Sequence, residues 1–303
     1  MRWYNSRVSR ALRFLLALAA VALIAPAAAS AYSWPLRPFH QQHAIRGYFN
    51  DPRLSGDETG FHFGVDIVAA DLEAVYAIEP GRARVHGQTV SVFPKRGGHL
   101  LSYWHVVPAV RSNQRLRRHQ LVGHVVAGAG HVHLAEYTDG TYINPLRIGG
   151  LAPYIDDTVP QIPRATFYSF GNPISGENVP GVVDITADAY DPSPLPLPPT
   201  EWAQAWLAPT LIRWRIAQGQ NTVRQWETAV DFRTFLLPFT LFDFVYAPGT
   251  YQNRPNRPGH YEYYLAHQFD TRRFPNGLYV LQVDALDAQE NLGQASFAFS
   301  IRN

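Results

Sequence analysis

Between Tyr32 and about residue 150, no stretch of twelve or more residues repeats its apolar side chains with the 3.6-residue period of an amphipathic helix. Short runs of β-branched and apolar residues stand there instead: Val65–Val68, Ala74–Ile78, Arg82–Val85, Thr89–Phe93, Leu100–Val107, Val122–Val126 and Val132–Tyr137. Gly, Pro or Asp punctuate many of the gaps, so each run reads as a strand. From about residue 165 onwards the period is two. Val182–Tyr190, Leu211–Ile216, Gly277–Ala285 and Ala295–Ile301 alternate, and in the last Phe297, Phe299 and Ile301 share one face while Ser296, Ala298 and Ser300 take the other. The chain is therefore expected to be all-β, with Asp287–Gly293 as the hairpin loop between its last two strands.

Of the twelve His, ten fall between residues 32 and 150, and only His260 and His267 lie beyond 165. Leu151–Pro163 (LAPYIDDTVPQIP) carries three Pro and no periodic pattern. We place a linker at 151–164, dividing a first domain, 32–150, from a second, 165–303. The run Pro192–Pro199 cannot sit in a central strand, because Pro lacks the ladder donor, and is expected as a surface loop.

Residues 1–31 have the layout of a secretory signal peptide. Arg2, Arg7, Arg10 and Arg13 form a positive start without an acid, Phe14–Ala25 is apolar, Pro26 breaks the run, and Ala29-Ser30-Ala31 offers an A-x-A cleavage site. No later segment is long and apolar enough to span a membrane. The protein is expected to be exported, to the periplasm or beyond. At 46% hydrophobic residues the chain can build a core, and a formal charge of +2 lacks the basic excess of a dedicated nucleic-acid binder. With no Cys, any metal must be held by His, Asp or Glu.

Three pieces of the first region suit such a site. His62-Phe-Gly-Val-Asp66 sets an imidazole and a carboxylate four residues apart, around a Gly that permits the chain to curl. Tyr103-Trp-His105 places a His in an expected strand. His131-Val-His133 points two imidazoles the same way, about 7 Å apart along a strand. Together they hold enough ligands for a catalytic zinc with an open position, and two His to spare for proton transfer.

Taken in order, H-x-G-x-D, Y-x-H and H-x-H resemble the signature of the lysostaphin-type, or LytM-like, zinc metallopeptidases, which cut peptide cross-links in bacterial peptidoglycan. Asp66-Ile-Val-Ala-Ala, Val75-Tyr-Ala-Ile-Glu-Pro-Gly81 and Gln120-Leu-Val-Gly123 extend the resemblance over about residues 35–148. It implies a fold of the duplicated-hybrid-motif type, one zinc held by His62, Asp66 and His133, and His105 and His131 as a catalytic pair that binds no metal. It also implies a peptidoglycan peptide as partner in the reaction. The chain departs from the family at Ala129-Gly130 before the last motif, at Lys95-Arg-Gly-Gly98 before the middle one, and at Leu134 and Ala135, where an aromatic and Glu are usual. These changes touch the cleft walls and not the ligands. The alternative reading is a catalytically silent relative that binds cell wall or a partner; it fits less well because all five residues are present.

The second region resembles the immunoglobulin-like sandwiches appended to secreted enzymes, through Asn276-Gly-Leu-Tyr-Val-Leu-Gln-Val-Asp-Ala-Leu-Asp287. Asp184, Asp188 and Asp191 lack the dense spacing of a calcium loop, and no metal is expected there.

Overall fold

The computed structural model describes residues 31–55, 58–95, 99–197 and 205–303; the expected targeting segment lies almost wholly outside the described residues. The all-β expectation holds: strands joined in antiparallel pairs account for nearly all regular structure.

In the first half, one antiparallel sheet runs Ile45–Gly47, Val65–Val68, His131–Thr138, Leu100–Trp104, Thr89–Pro94, Gly81–His86, Arg115–Leu116 from edge to edge. Thr141–Ile143 pairs back on His131–Thr138. A smaller sheet, Ala74–Tyr76, Leu121–Val125 and Val106–Pro108, completes this half. Val65, Ile67, Val75, Val90, Val92, Val122 and Val132 are fully buried, as their place in β-branched runs requires. Sheet order decides which residues of this half meet. The His131–Thr138 strand lies between Val65–Val68 and Leu100–Trp104, so three motifs far apart in sequence become neighbours.

The second half contains two antiparallel sheets. One has Val182–Pro192 paired with Gln161–Ser169, Glu262–Asp270 and Trp206–Leu207; the other runs Asn221–Asp231, Leu211–Gln218, Gly277–Leu286, Leu292–Ile301. They face each other through Phe167 on Phe299 (ring centroids 4.9 Å) and Trp214 on Phe269 (6.1 Å). Tyr261 and Tyr263 are fully buried in this packing. Two boundaries differ from the sequence reading. The strand from Gln161 begins inside the expected linker, and Pro192 ends a strand against Trp206. Pro is tolerated there because it occupies the strand's last position.

The halves meet through an apolar seam. Phe61 packs on Phe232 (5.0 Å), Phe242 (5.4 Å) and Tyr246 (5.9 Å). Backbone polar groups at the seam are also satisfied across it: Asn50 Nδ2 donates to Pro209 O (2.8 Å), Ala208 N to Asp51 Oδ1 (3.2 Å), and Asn144 N to Thr234 O (2.8 Å).

Candidate metal centre

His133 sits in register with Asp66 on one side and with Trp104 on the other. Antiparallel pairing thus sets the carboxylate beside the imidazole without any loop. His62, just before Val65–Val68, completes a group whose ligand atoms converge. His62 Nε2 is 2.7 Å from His133 Nδ1, and each is 3.1 Å from Asp66 Oδ1. All three residues are buried. Gly64 has an ordinary φ, so its role is space rather than curl: a Cβ there would stand 2.7 Å from His133 Nε2.

The proton count shows what these atoms need. His62 Nδ1 lies 2.5 Å from the carbonyl oxygen of Tyr48, which can only accept, so His62 carries its proton on Nδ1. Burial pushes the His62 imidazolium down to about 3, so the ring is neutral at pH 7. Its Nε2 then presents a bare lone pair to the Asp66 oxygen. Burial opposes ionisation of Asp66, but Arg53 and the donors around it hold the carboxyl well below the usual range. Two lone pairs facing each other at 3.1 Å, on His62 Nε2 and Asp66 Oδ1, call for a positive ion. A tetrahedral zinc with bonds of about 2.0–2.1 Å would separate its ligands by roughly 3.3 Å; the two His–Asp spacings of 3.1 Å are close to that, and the His62–His133 spacing of 2.7 Å is shorter. The donor set and the geometry fit zinc.

The remaining oxygen of Asp66 is committed elsewhere. Oδ2 accepts from Arg53 Nη2 at 2.7 Å, which leaves Oδ1 for the centre. Arg53 reaches over from the short hairpin Pro52–Ser55 and Glu58–Phe61, with Asp51 3.9 Å from its other nitrogen.

His131 and His105 stand side by side, with ring centroids 4.5 Å apart. Asp71 takes the N–H groups of Gly128 (2.6 Å) and Gly130 (3.1 Å), shaping the turn that presents Ala129 O to His131 Nδ1 at 2.7 Å. Arg46 Nη2 also approaches Nδ1, at 2.6 Å. The carbonyl can only accept and the guanidinium can only donate, so Nδ1 satisfies one at a time. When it donates to Ala129, Nε2 is bare and lies 3.6 Å from Asp66 Oδ1. Burial lowers the His131 pKa to about 4 and also lowers that of His105, so both rings are neutral near pH 7.

His105 is not within a strand as expected. Leu100–Trp104 ends before it, Val106–Pro108 begins after it, and its φ is +61°. The first strand belongs to the large sheet and the second to the small one, so the chain changes sheets at this residue. A left-handed His is uncommon and costs on the order of 1 kcal/mol or more, which neighbouring structure must over-determine. Here Val126 N donates to His105 O at 2.9 Å. Tyr103 is a fastener: fully buried, its hydroxyl accepts from Ile78 N at 2.8 Å. Glu136, the acid one place later than the family pattern, is tied to Arg147 (2.7 Å) and Tyr32 (2.9 Å).

All five motif residues line one cleft of about 730 Å³, with Arg53, Thr59, Gly60, Phe61, Phe63, Trp104 and Phe239. The sequence reading did not find Tyr48, Arg53, Arg46 or Phe239. Phe239 comes from the second half, in the short helical turn Phe239–Leu241, and its ring covers Gly60.

No family model matches the chain, and no curated protein matches it. Among solved structures it is similar to Helicobacter pylori Csd3 (20% identity, 39% of this chain, 34% of that chain, TM-score 0.32). It is similar also to the catalytic domain of lysostaphin, an antimicrobial peptidase from Staphylococcus simulans (21%, 34% and 90%, TM-score 0.31). A third is the catalytic domain of the prophage-encoded M23 protein EnpA from Enterococcus faecalis (22%, 38% and 98%, TM-score 0.30). The chain spans about a third of the length of Csd3. These overlaps are partial and of low score, and the chemistry of the site stands on its own geometry.

Proposed function

We propose that the protein is an exported zinc-dependent endopeptidase acting on the peptide cross-links of peptidoglycan. The observation that carries this is the convergence of His62 Nε2, Asp66 Oδ1 and His133 Nδ1, with two further neutral imidazoles on the same open cleft. The peptidoglycan peptide as substrate rests on the motif resemblance.

His62, Asp66 and His133 would hold the zinc, which when bound supplies Lewis acidity to a carbonyl and lowers the pKa of a water towards ~7. The protein's own groups do the rest. Arg53 and Tyr48 fix the ligand atoms by holding Asp66 Oδ2 and His62 Nδ1. His131, with its proton on Nδ1 and its Nε2 bare, accepts the proton of the attacking water. His105, beside it, stabilises the developing oxyanion or protonates the leaving amine. Phe63, Trp104 and Phe239 form apolar walls along which a peptide backbone would lie. Retention of every one of these groups in one cleft disfavours a silent binding module.

Zinc content and hydrolysis should be measured on the same preparation, the latter as new amino termini released from a peptidoglycan suspension. About one zinc per chain and chelator-sensitive release are expected. A zinc-loaded protein that releases no amino termini would leave the binding-module reading in place of this one.

A further inference from the structure

Away from the cleft, Asp156, Asp191 and Asp287 are all buried and bring one carboxylate oxygen each within 4.8 Å of one another. They come from separate places: the segment between the halves, the end of Val182–Pro192, and the turn after Gly277–Leu286. Their donors are shared unevenly. Asp156 Oδ1 accepts from Thr158 N (3.0 Å) and Thr158 Oγ1 (2.5 Å), and Oδ2 lies 3.0 Å from Tyr154 Oη and 3.2 Å from Tyr48 Oη, two hydroxyls that are also hydrogen-bonded to each other. Asp287 Oδ1 accepts from Gln289 N and Asn291 N, and Oδ2 from Asn291 Nδ2, all within 2.9 Å.

Asp191 is left out. It is fully buried, and among the described residues its Oδ2 meets no donor. Among those residues its Oδ1 faces only Thr158 Oγ1, at 3.4 Å. That hydroxyl has one proton, and Asp156 Oδ1 (2.5 Å) and Pro192 O (2.9 Å) are both nearer to it. Among the described residues no Arg, Lys or His forms an ion pair with any of the three acids. Three buried carboxyl groups without a countercharge are costly unless a cation or a proton joins them.

We propose that Asp156, Asp191 and Asp287 bind a hard divalent cation of the calcium class, at a structural site separate from the histidine centre. The donors are all oxygen, with no imidazole or thiolate, which suits Ca²⁺ and not zinc. The orphaned Asp191 Oδ2 supplies a ligand that nothing else among the described residues uses. Calcium would also relieve the strain that burial and the charges of Asp156 and Asp287 put on the Asp191 carboxyl, whose pKa they push up to about 9. The site joins the inter-half segment to both sheets of the second half. It also touches the histidine centre through a single residue, because Tyr48 gives its hydroxyl to Asp156 and its carbonyl to His62.

The test uses the full exported chain, treated with chelator and then reloaded with one equivalent of zinc. Calcium chloride should raise its melting temperature by about 5–10 °C at a hundredfold excess over Kd. Terbium(III), excited through tyrosine, should give sensitised emission that saturates at one ion per chain, since Tyr48 and Tyr154 adjoin the acids. Calcium should displace it. The emission should persist in His133→Ala and vanish in Asp191→Asn. No calcium effect on melting and no sensitised emission in the unsubstituted protein would overturn the proposal and assign the triad a shared proton. Emission lost in His133→Ala but kept in Asp191→Asn would also overturn it, by placing the ion among the histidines. The unsubstituted protein alone decides the matter if Asp191→Asn does not fold.

Discussion

The main-chain carbonyl of Tyr48 accepts the Nδ1 proton of His62 at 2.5 Å, and this one bond decides which face of the imidazole is free to bind metal. It fixes the tautomer and the ring plane together, as partners behind metal-ligating imidazoles do. The turn that carries the carbonyl is itself braced: Tyr48 N donates to Asp51 Oδ2 at 2.9 Å, and His62 N donates to Asp51 O at 2.8 Å.

The ligand assignment predicts that His133→Ala abolishes stoichiometric zinc while the protein remains folded, because the β core does not depend on the ion. Arg53→Met should behave more mildly. It frees Asp66 Oδ2 without removing a ligand, and a 10- to 100-fold weaker zinc affinity is expected for such a loss. Zinc content after dialysis against a competing chelator checks both. Full zinc in His133→Ala would remove that residue from the ligand set.

His105→Ala and His131→Ala should retain zinc and lose roughly 10²–10⁴-fold in turnover, the usual worth of a proton-transfer or oxyanion-stabilising group. The structure adds that His105 holds φ +61°. His105→Asn keeps a side chain that tolerates that backbone and should therefore fold at least as well as the Ala variant. Near-normal turnover on a defined cross-linked peptide, in either Ala variant, would show that the residue is structural.

The five motif residues could be found in the chain because three short motifs stand in the order of a known signature, and the resemblance implies their roles. Strand alternation by itself placed only His131 and His133 on a shared face. Spacing alone does not reveal which strands become neighbours, and that order is what joins Asp66 to His133. Arg53, Arg46, Tyr48 and Phe239 were invisible for a different reason. Each is a single residue whose role comes from a distant partner, and Tyr48 acts through a backbone atom that has no side-chain signature. Asp191 was weighed with Asp184 and Asp188, its neighbours in sequence, whereas its partners in space lie at 156 and 287.

Asp51 makes stability depend on pH. Burial raises its pKa to about 7, against about 3.9 in an unfolded chain, with Arg53 opposing the rise. Between those values the folded state holds the proton and the unfolded state has released it, so this group makes stability fall as pH rises from about 4 to 7. The slope is on the order of 1 kcal/mol per pH unit. Asp51→Asn cannot titrate and should remove that contribution, whatever it does to the baseline. Urea unfolding at fixed zinc, at several pH values between 5 and 8, compares the two slopes. Identical slopes would mean that Asp51 is ionised throughout.

The two halves of the chain are expected to act as one unit at the cleft. All five motif residues precede residue 151, so a chain of residues 32–151 carries every candidate ligand and both candidate catalytic residues. It would nevertheless expose Phe61, which packs on Phe232, Phe242 and Tyr246. Losing that seam uncovers aromatic area worth several kcal/mol, at about 25 cal/mol per Å². It would also strip Asp51 and Asn50 of their partners at Ala208 and Pro209, beside the turn that orients His62. The short chain should therefore be poorly soluble or bind zinc more weakly than residues 32–303. A gentler probe separates the seam from the cleft. Phe239→Ala leaves the Phe61 contacts in place and removes only the ring over Gly60, so zinc content and melting temperature should hold while KM for a peptide rises several-fold. A soluble short chain with full zinc affinity and unchanged peptide turnover would show that the first half stands alone. In that case Phe239 would be a neighbour of the cleft and no part of its binding surface.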